Sequence, residues 1–297
     1  MKIRFSMLSV TLLCLLFLTS SFLFPKKPKH PFGKKFKPPK TYTYIPTGDL
    51  LTKNGAKLPV KGFFMSKTEI SNAAYNEFLQ DLLKQNKQKE FEKANRQVEN
   101  WNVEALAKTY HEHPAYAEYP VLTIPREGAE MYCRWLTEKL QPQYKKHKIN
   151  FRLPTEHEWV YAARGGHKSA PYPWGGYYTR NARGQYLANF KTIGTSSIHY
   201  NRKEGTYEVI PSKVNFNFIM PAHIKSFCPN DYGLYHMSGN AAEMISTRTI
   251  NGGNKTKGGC YDSTGHDIKI ESADEFEGWT TPSPFIGFRP IMDVVVE

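Results

Sequence analysis

Apolar residues recur with the period of a helix in two parts of the chain, after Ser71 and over residues 126–140. Ser71 is a favoured N-cap residue, and Ile70 and Tyr75 are spaced to pack together across the first turn. The apolar positions are Ala74, Tyr75, Phe78, Leu79 and Leu82 in the first segment and Ala129, Tyr132, Cys133, Leu136 and Leu140 in the second. This spacing predicts two amphipathic helices and places Cys133 in the core.

A third helix start lies at Thr155. Thr155 and Glu158 have the spacing of a capping box, in which each side chain satisfies a backbone N–H near the other. Residues 44–46 and 60–65 are typical of short strands. After residue 166 the chain is rich in Trp, Tyr, Gly and Asn and loses its periodicity. Helices mixed with short strands and long loops predict an α+β domain.

Residues 84–113 carry many Lys, Gln, Asn and Glu side chains, and they predict a polar helical insertion. The segment ends in His111-Glu112-His113, which could be mistaken for a metal site. No partner motif at ligand spacing accompanies these residues, so a solvated loop is the better interpretation. No linker divides residues 42–297, and we expect them to form one domain.

The first 24 residues differ from the rest of the chain. Lys2 and Arg4 precede an apolar run, residues 5–24, which is typical of an export signal and is long enough to span a bilayer. Residues 1–24 are therefore predicted to be a signal peptide or an N-terminal membrane anchor. Cys14 leaves lipidation open, although large residues precede it where lipoprotein signals have small ones.

Residues 25–41 are rich in Pro and Lys and predict a basic linker or a membrane-surface segment. Nine of the 40 basic residues lie within residues 1–40, so the net charge of +13 falls to +4 for the remainder. A nearly balanced body argues against nucleic-acid binding. Basic residues after an apolar run favour the cytoplasmic side, whereas the start of the chain favours export. We expect an extracytoplasmic location, periplasmic or cell-envelope, either secreted or membrane-associated through residues 1–40.

Several short motifs follow one another through the folded part. They are Lys67-Thr68-Glu69-Ile70-Ser71-Asn72, Tyr132-Cys133-Arg134-Trp135-Leu136, Arg152-Leu153-Pro154-Thr155-Glu156-His157-Glu158-Trp159, Tyr172-Pro173-Trp174-Gly175, Asn230 to Glu243, Lys257-Gly258-Gly259 and Gly287-Phe288-Arg289. In this order they resemble the formylglycine-generating enzyme, or sulfatase-modifying factor, family. The resemblance extends from about Tyr44 to Pro290. It implies a compact mixed α+β domain of the C-type-lectin-like type, with little regular secondary structure.

The resemblance also bears on catalysis. Catalytic members of the family hold copper(I) with two cysteines five positions apart, and soft thiolates suit that ion. The matching positions here are Ser263 and Ile268, so copper is not expected. Cys260 stands three residues earlier, and a reactive thiol at Cys260 assisted by His266 is the alternative. A buried, unreactive Cys260 is the favoured interpretation.

Structural calcium is the one cofactor that the resemblance supports. In the family, the loop that matches residues 239–243 supplies oxygen ligands, which suit a hard cation. Asn240 and Glu243 match that pattern, and Asn189 matches a second position. Asn and Glu at such a place also act as simple caps, so both interpretations stay open.

These observations favour a non-catalytic scaffold or binding module of the cell envelope. Residues 186–190 and the sequence up to Asn230 are also similar to the gliding-motility lipoprotein branch, which uses the fold as an envelope building block. An envelope protein or a glycan is the expected partner. Candidate contact residues are the loop aromatics Trp174, Tyr177, Tyr178 and Trp279, although core packing is favoured for Trp174. The alternative function is a formylglycine-generating oxidase or a thiol-dependent oxidoreductase that uses Cys260.

Overall fold

The computed structural model describes residues 29–33, 35–98, 101, 107, 109–192, 198–209 and 220–296. The predicted signal or anchor segment, residues 1–24, lies outside these residues, as does Cys14. Within the described part of the chain, no helix has the length and apolar character needed to cross a membrane.

Eleven strands and four α-helices are described. The strands are β1 Tyr42–Ile45, β2 Gly48–Leu51, β3 Lys57–Val60, β4 Phe63–Ser66, β5 His147–Arg152, β6 Ile198–Asn201, β7 Thr206–Val209, β8 Ala242–Met244, β9 Thr256–Lys257, β10 Ile286–Phe288 and β11 Ile291–Val296. The helices are α1 Asn72–Lys84, α2 Gln88–Ala94, α3 Arg126–Leu140 and α4 Glu156–Ala163, with single 3₁₀ turns at Pro114–Tyr116 and Gln141–Gln143. The mixture of short strands and helices confirms the predicted α+β class.

The main sheet joins both ends of the described chain. Its order is β1-β4-β11-β5, and all its pairs are antiparallel. In β11, Ile291 lies opposite Met65 of β4 on one side and Arg152 of β5 on the other. The last strand therefore completes the sheet that the first strands begin, and it lies inside that sheet between β4 and β5.

Both faces of this sheet are covered. Along β4, Phe64 packs into the cluster of α1 and α3, whereas Phe63 and Met65 pack into the cluster that contains Trp159 of α4. Side chains alternate between the faces of a strand, so a continuous apolar run buries both sides. A smaller sheet, β10-β8-β9, and two hairpins, β2-β3 and β6-β7, complete the described strands.

The predicted helix starts are confirmed. The Ser71 side chain accepts a hydrogen bond from the backbone N–H of Ala74 at the start of α1. Thr155 and Glu158 form the complete capping box at the start of α4. Cys133 lies on the buried face of α3 in the domain core, and burial raises the pKa of its thiol to about 12. These features are local, since each depends on residues within one helical turn.

The described residues of the segment 84–113 include helical and buried positions. It contains α2, and it also contributes Trp101 and Tyr110 to an aromatic cluster. His111 is buried, and its ring nitrogens lie 2.9 Å from Asn72 Oδ1 and 3.0 Å from Thr123 Oγ1. The solvated interpretation of His111 is therefore wrong, because its ring lies between polar partners on two other segments. Burial lowers the pKa of His111 to about 3.

Candidate functional site

Cys260 is buried at the start of residues 260–268, which we call the late loop. It is only 2% exposed, and its Sγ lies 3.4 Å from the Asp262 backbone nitrogen and 3.4 Å from Ser263 Oγ. Burial raises the pKa of the Cys260 thiol to about 11, so the thiol is protonated at neutral pH. Only the thiolate is an effective nucleophile or metal ligand, and this environment disfavours it.

The two positions that match the copper cysteines hold no soft donor. Ser263 Oγ accepts a hydrogen bond from the Cys260 backbone N–H at 2.8 Å and donates one to the Glu275 carboxylate. Ile268 is fully buried in a cluster with Tyr172 and Phe190. One protonated thiol, one hydroxyl and one carboxylate are not the thiolate pair that copper(I) requires, so the residues present do not fit that ion.

His266 does not assist Cys260. Its side chain is 73% exposed, and its Nδ1 lies 3.2 Å from Asp267 Oδ1. The hydrogen-bond partners found for Cys260 among the described residues are Ser263 and the Asp262 backbone. The structure thus places the two residues of the thiol alternative in the same loop without bringing their reactive atoms into hydrogen-bond contact.

A buried ion pair connects Glu243 of β8 with Arg289, which lies between β10 and β11. Arg289 and Glu243 are 0% and 1% exposed in their side chains, and Nη2 of Arg289 lies 2.6 Å from Oε1 of Glu243. The Nε1–H of Trp159 donates to Oε2 of Glu243 at 2.7 Å. Arg289 also donates to the backbone oxygens of Ser66 and Tyr235 at 3.0 and 2.6 Å. Both charges are therefore well hydrogen-bonded, as a buried pair must be to be tolerated.

The buried carboxyl group of Glu69 interacts electrostatically with the same guanidinium. Glu69 is 1% exposed, its Oε1 accepts from Asn240 Nδ2 at 2.9 Å, and its buried Oε2 has no hydrogen-bond partner among the described residues. Burial raises the pKa of Glu69 to about 8 against the opposing charge of Arg289. Glu69 is therefore mostly protonated at neutral pH, since one buried cation cannot neutralise two carboxylates. We call Glu69, Trp159, Asn240, Glu243 and Arg289 the buried polar centre.

Asn189 and Asn240, two of the predicted calcium residues, are in direct contact. Asn189 Nδ2 donates to Asn240 Oδ1 at 3.1 Å, and the Asn240 backbone N–H donates to the backbone oxygen of Asn189 at 2.8 Å. The contact requires glycine at position 239, where φ is +74° and a Cβ would lie 2.1 Å from the Asn189 oxygen.

Glu243, the third predicted calcium residue, is engaged elsewhere. Both of its oxygens accept hydrogen bonds from Arg289 or Trp159, so neither is free for a cation. Asn189 Oδ1 is buried and has no hydrogen-bond partner in the described part of the chain. The three residues therefore do not form a ready oxygen set, and calcium binding stays a prediction of the family resemblance.

Sequence reasoning missed the roles of Glu69 and Arg289. Both lie in motifs that carried the resemblance, but no role follows from either motif alone. The available signal is one charged residue between apolar neighbours, as in Phe288-Arg289-Pro290. Such a charge is seldom buried unless it is paired.

The loop aromatics divide into packed and exposed residues. Trp174 stacks on Tyr172 with ring centroids 4.9 Å apart, and its Nε1–H donates to the backbone oxygen of Tyr178 at 2.9 Å. Trp279 packs against the main cluster. Tyr177 and Tyr178 are 76% and 80% exposed and are available for contact with a partner.

Comparison with solved structures defines the fold class. Treponema denticola variable protein 1 matches with a TM-score of 0.53 at 16% identity, over 84% of this chain and 94% of that one. PvdO from Pseudomonas aeruginosa matches with a TM-score of 0.55 at 15% identity, over 85% of this chain and 94% of that one. At these identities the similarity concerns the fold alone.

The sequence comparison gives the family. The sulfatase-modifying factor enzyme 1-like domain matches residues 32–294, and the chain belongs to this family. The formylglycine-generating enzyme of Thermomonospora curvata is 33% identical over 128 residues, 43% of this chain and 33% of that protein. The inactive C-alpha-formylglycine-generating enzyme 2 of Bos taurus is 31% identical over 132 residues, 44% of this chain and 34% of that protein. The matches thus cover about a third of these relatives' length.

Proposed function

We propose that this chain is a non-catalytic scaffold or binding module of the cell envelope, built on the formylglycine-generating-enzyme fold. The observation that carries the proposal is the donor set of the late loop, where Ser263 and Ile268 stand at the positions of the family's copper cysteines. A hydroxyl and an apolar side chain cannot replace two thiolates as copper(I) ligands. One similar protein is named an inactive C-alpha-formylglycine-generating enzyme 2, so similarity to this family includes proteins named as inactive.

The alternative, a thiol-dependent oxidoreductase that uses Cys260, has less support. A catalytic thiol needs access to substrate and a nearby base. Cys260 is buried with a raised thiol pKa, and His266 pairs with Asp267 in solvent. Cys228 is the exposed thiol among the described cysteines, but a lone exposed cysteine does not make a redox site.

A binding role agrees with what the loops expose. Tyr177 and Tyr178 project from the surface, and Tyr200 and Tyr207 are 54% and 77% exposed on the β6-β7 hairpin. Exposed tyrosines supply large contact area with a hydrogen-bonding group, as recognition of a protein or glycan requires. An envelope protein or a glycan is therefore the proposed partner, and the similarity to the gliding-motility branch stays a prediction.

A copper(I) titration of the full chain tests the proposal. We expect no tight stoichiometric site that depends on Cys260 and no formylglycine formation on a cysteine-containing peptide. Cys260→Ser is the test variant, and Cys228→Ser is the control for binding by an exposed thiol. Tight binding that disappears in Cys260→Ser and persists in Cys228→Ser would overturn the non-catalytic assignment.

The envelope location has its own test. Cell fractionation followed by sequencing of the mature N-terminus distinguishes a cleaved signal peptide from a retained anchor. We expect the chain in an envelope or extracytoplasmic fraction. Recovery in the cytoplasm would contradict the proposed location, whatever the copper result.

A further inference from the structure

A strongly basic cleft lies at the start of β5, where the N-terminal segment packs against the domain. It has a volume of about 440 Å³ and is lined by lysines from two distant parts of the sequence, Lys35 and Lys37 from the N-terminal segment and Lys145 and Lys146 from the turn before β5. We call these four residues and the space between them the lysine cleft. No acidic residue lines it within the described part of the chain.

Aromatic packing holds the N-terminal segment in place. Phe36 is 5% exposed, and its ring centroid lies 5.3 Å from that of Tyr144 and 5.0 Å from that of His147. The Tyr144 hydroxyl donates to the backbone oxygen of Lys37 at 2.9 Å. Residues 35–37 thus lie against the domain, and the two pairs of lysines are kept on one face.

Among the described residues, no acidic side chain pairs with the lysines of the lysine cleft. All four lysines are exposed, and none forms an ion pair with another described residue. Other lysines of this domain are paired, such as Lys255 with Glu156 at 2.7 Å and Lys139 with Glu77 at 2.5 Å. Four ammonium groups around one concavity, with no acidic partner in the described part of the chain, create a local positive potential that attracts anions.

The geometry points to the lysine cleft as the face by which the domain docks on an anionic lipid surface. This inference rests on the proposed envelope location. Phe32 follows the end of the apolar run, Phe24, by eight residues, and an extended chain of that length spans at most about 28 Å. Phe32 and Phe36 lie beside the lysines with their ring centroids 5.2 Å apart, and this packing holds the basic segment against the domain. A basic face this close in sequence to a membrane-type segment is suited to lipid headgroups.

The expected effect follows from the charge count. Each lysine near an anionic surface strengthens association on the order of fivefold. Loss of all four is therefore expected to weaken the electrostatic contact on the order of several hundredfold, and high salt to weaken it in the same sense.

Lysine acetylation read by mass spectrometry tests the inference on the full chain. The chain is reconstituted with phosphatidylcholine vesicles and with vesicles that also contain phosphatidylglycerol, so that any insertion of the apolar run is common to both. We expect acetylation of Lys145 and Lys146 to slow several-fold only with phosphatidylglycerol. High salt should restore it, and Lys89 and Lys203, which are exposed elsewhere, should not respond.

Charge reversal supplies the second measurement. The variant Lys35→Glu, Lys37→Glu, Lys145→Glu, Lys146→Glu should lose the protection of the neighbouring exposed Lys148. The control variant Lys84→Glu, Lys89→Glu, Lys168→Glu, Lys203→Glu makes the same change in net charge away from the cleft and should retain that protection. Unchanged thermal unfolding of both variants shows that each remains folded.

Two outcomes would overturn the inference. Equal acetylation in the two vesicle types would show that the cleft does not meet the lipid surface. Equal protection by soluble polyphosphate at matched anion concentration would assign the cleft to a soluble anion instead. Neither outcome depends on the copper titration, so failure of this inference and failure of the non-catalytic proposal are distinguishable.

Discussion

The buried polar centre and the lysine cleft use charge in opposite ways. In the buried polar centre, Glu243 and Arg289 are excluded from water, and they bond to each other, to the Trp159 indole and to the backbone oxygens of Ser66 and Tyr235. In the lysine cleft, Lys35, Lys37 and the two lysines of the turn before β5 are exposed, and no described acidic residue pairs with them. Removal of one buried charge leaves the other unpaired, whereas removal of a solvated charge changes little in the fold.

The difference separates stability from interaction. The buried charges of Glu243 and Arg289 connect β8 with the residues just before β11. Because these parts are distant in the sequence, we expect the pair to affect the stability of the fold. Solvated charges of one sign contribute little to folding but set up a field that a partner can sense. The following variants should break this comparison if it is wrong.

The largest effect is expected from Arg289→Met. The substitution leaves Glu243 buried without its cation and also removes donors to Ser66 and Tyr235. We expect the free energy of unfolding to fall by about 3–5 kcal/mol, measured by urea denaturation. Lys139→Met, which breaks the exposed pair with Glu77, is the control and should cost no more than about 1 kcal/mol. Similar losses for the two variants would contradict the assignment.

The second effect concerns pH. Because the pKa of Glu69 is raised from 4.5 to about 8, its contribution to stability is complete below pH 4.5 and is lost as pH rises toward 8. The loss is at most about 1.4 kcal/mol per pH unit. Glu69→Gln mimics the protonated acid, and the variant should lack this decline. Urea denaturation of both proteins between pH 6.5 and 8 measures it; parallel curves would sink the prediction.

Comparison with Glu69→Gln separates the effect of Glu69 from that of the buried histidines. Burial lowers the pKa of His111 to about 3 and that of His236 to about 4 from the usual 6.5. These groups therefore lose stability as pH falls below 6.5, which is the opposite sense to Glu69. An unfolded histidine is still about half protonated at pH 6.5 and becomes largely neutral only near pH 7.5, so the two histidines add an opposing slope at the lower end of the window. Glu69→Gln retains both histidines, so the difference between the two proteins removes their contribution.

A smaller effect is expected from Cys260→Ala. The substitution removes a buried sulfur and its packing, which should cost about 1 kcal/mol of unfolding free energy. Cys228→Ala, at the exposed thiol, should change it by less than about 0.5 kcal/mol. Thiol labelling of the folded protein should reach Cys228 and not Cys260; rapid labelling of Cys260 would show that it is accessible.

The smallest effect on stability is expected in the lysine cleft. Lys145→Glu with Lys146→Glu should change the free energy of unfolding by no more than about 0.5 kcal/mol per site. Thermal unfolding of the double variant measures this. A loss as large as that of Arg289→Met would show that these lysines are part of the fold and not of a docking face.

Prediction from the sequence succeeded where the physics is local. The starts of α1 and α4 follow from Ser71 and from the Thr155–Glu158 capping box, whose partners lie within one turn. The burial of Cys133 follows from its place in a helical apolar stripe. The prediction failed for His111, because its partners Asn72 and Thr123 lie on other segments and leave no local pattern.

The sequence by itself determined the α+β class, the family and the absence of the copper cysteine pair at Ser263 and Ile268. Only the tertiary structure decided that Glu243 forms an ion pair with Arg289, 46 residues away, and that Lys35 and Lys145 line the same cleft. Capping and helical stripes depend on neighbours at fixed short spacing, which the order of residues displays directly. Ion pairing and surface potential depend on which distant segments meet, and that is set by how the whole core packs.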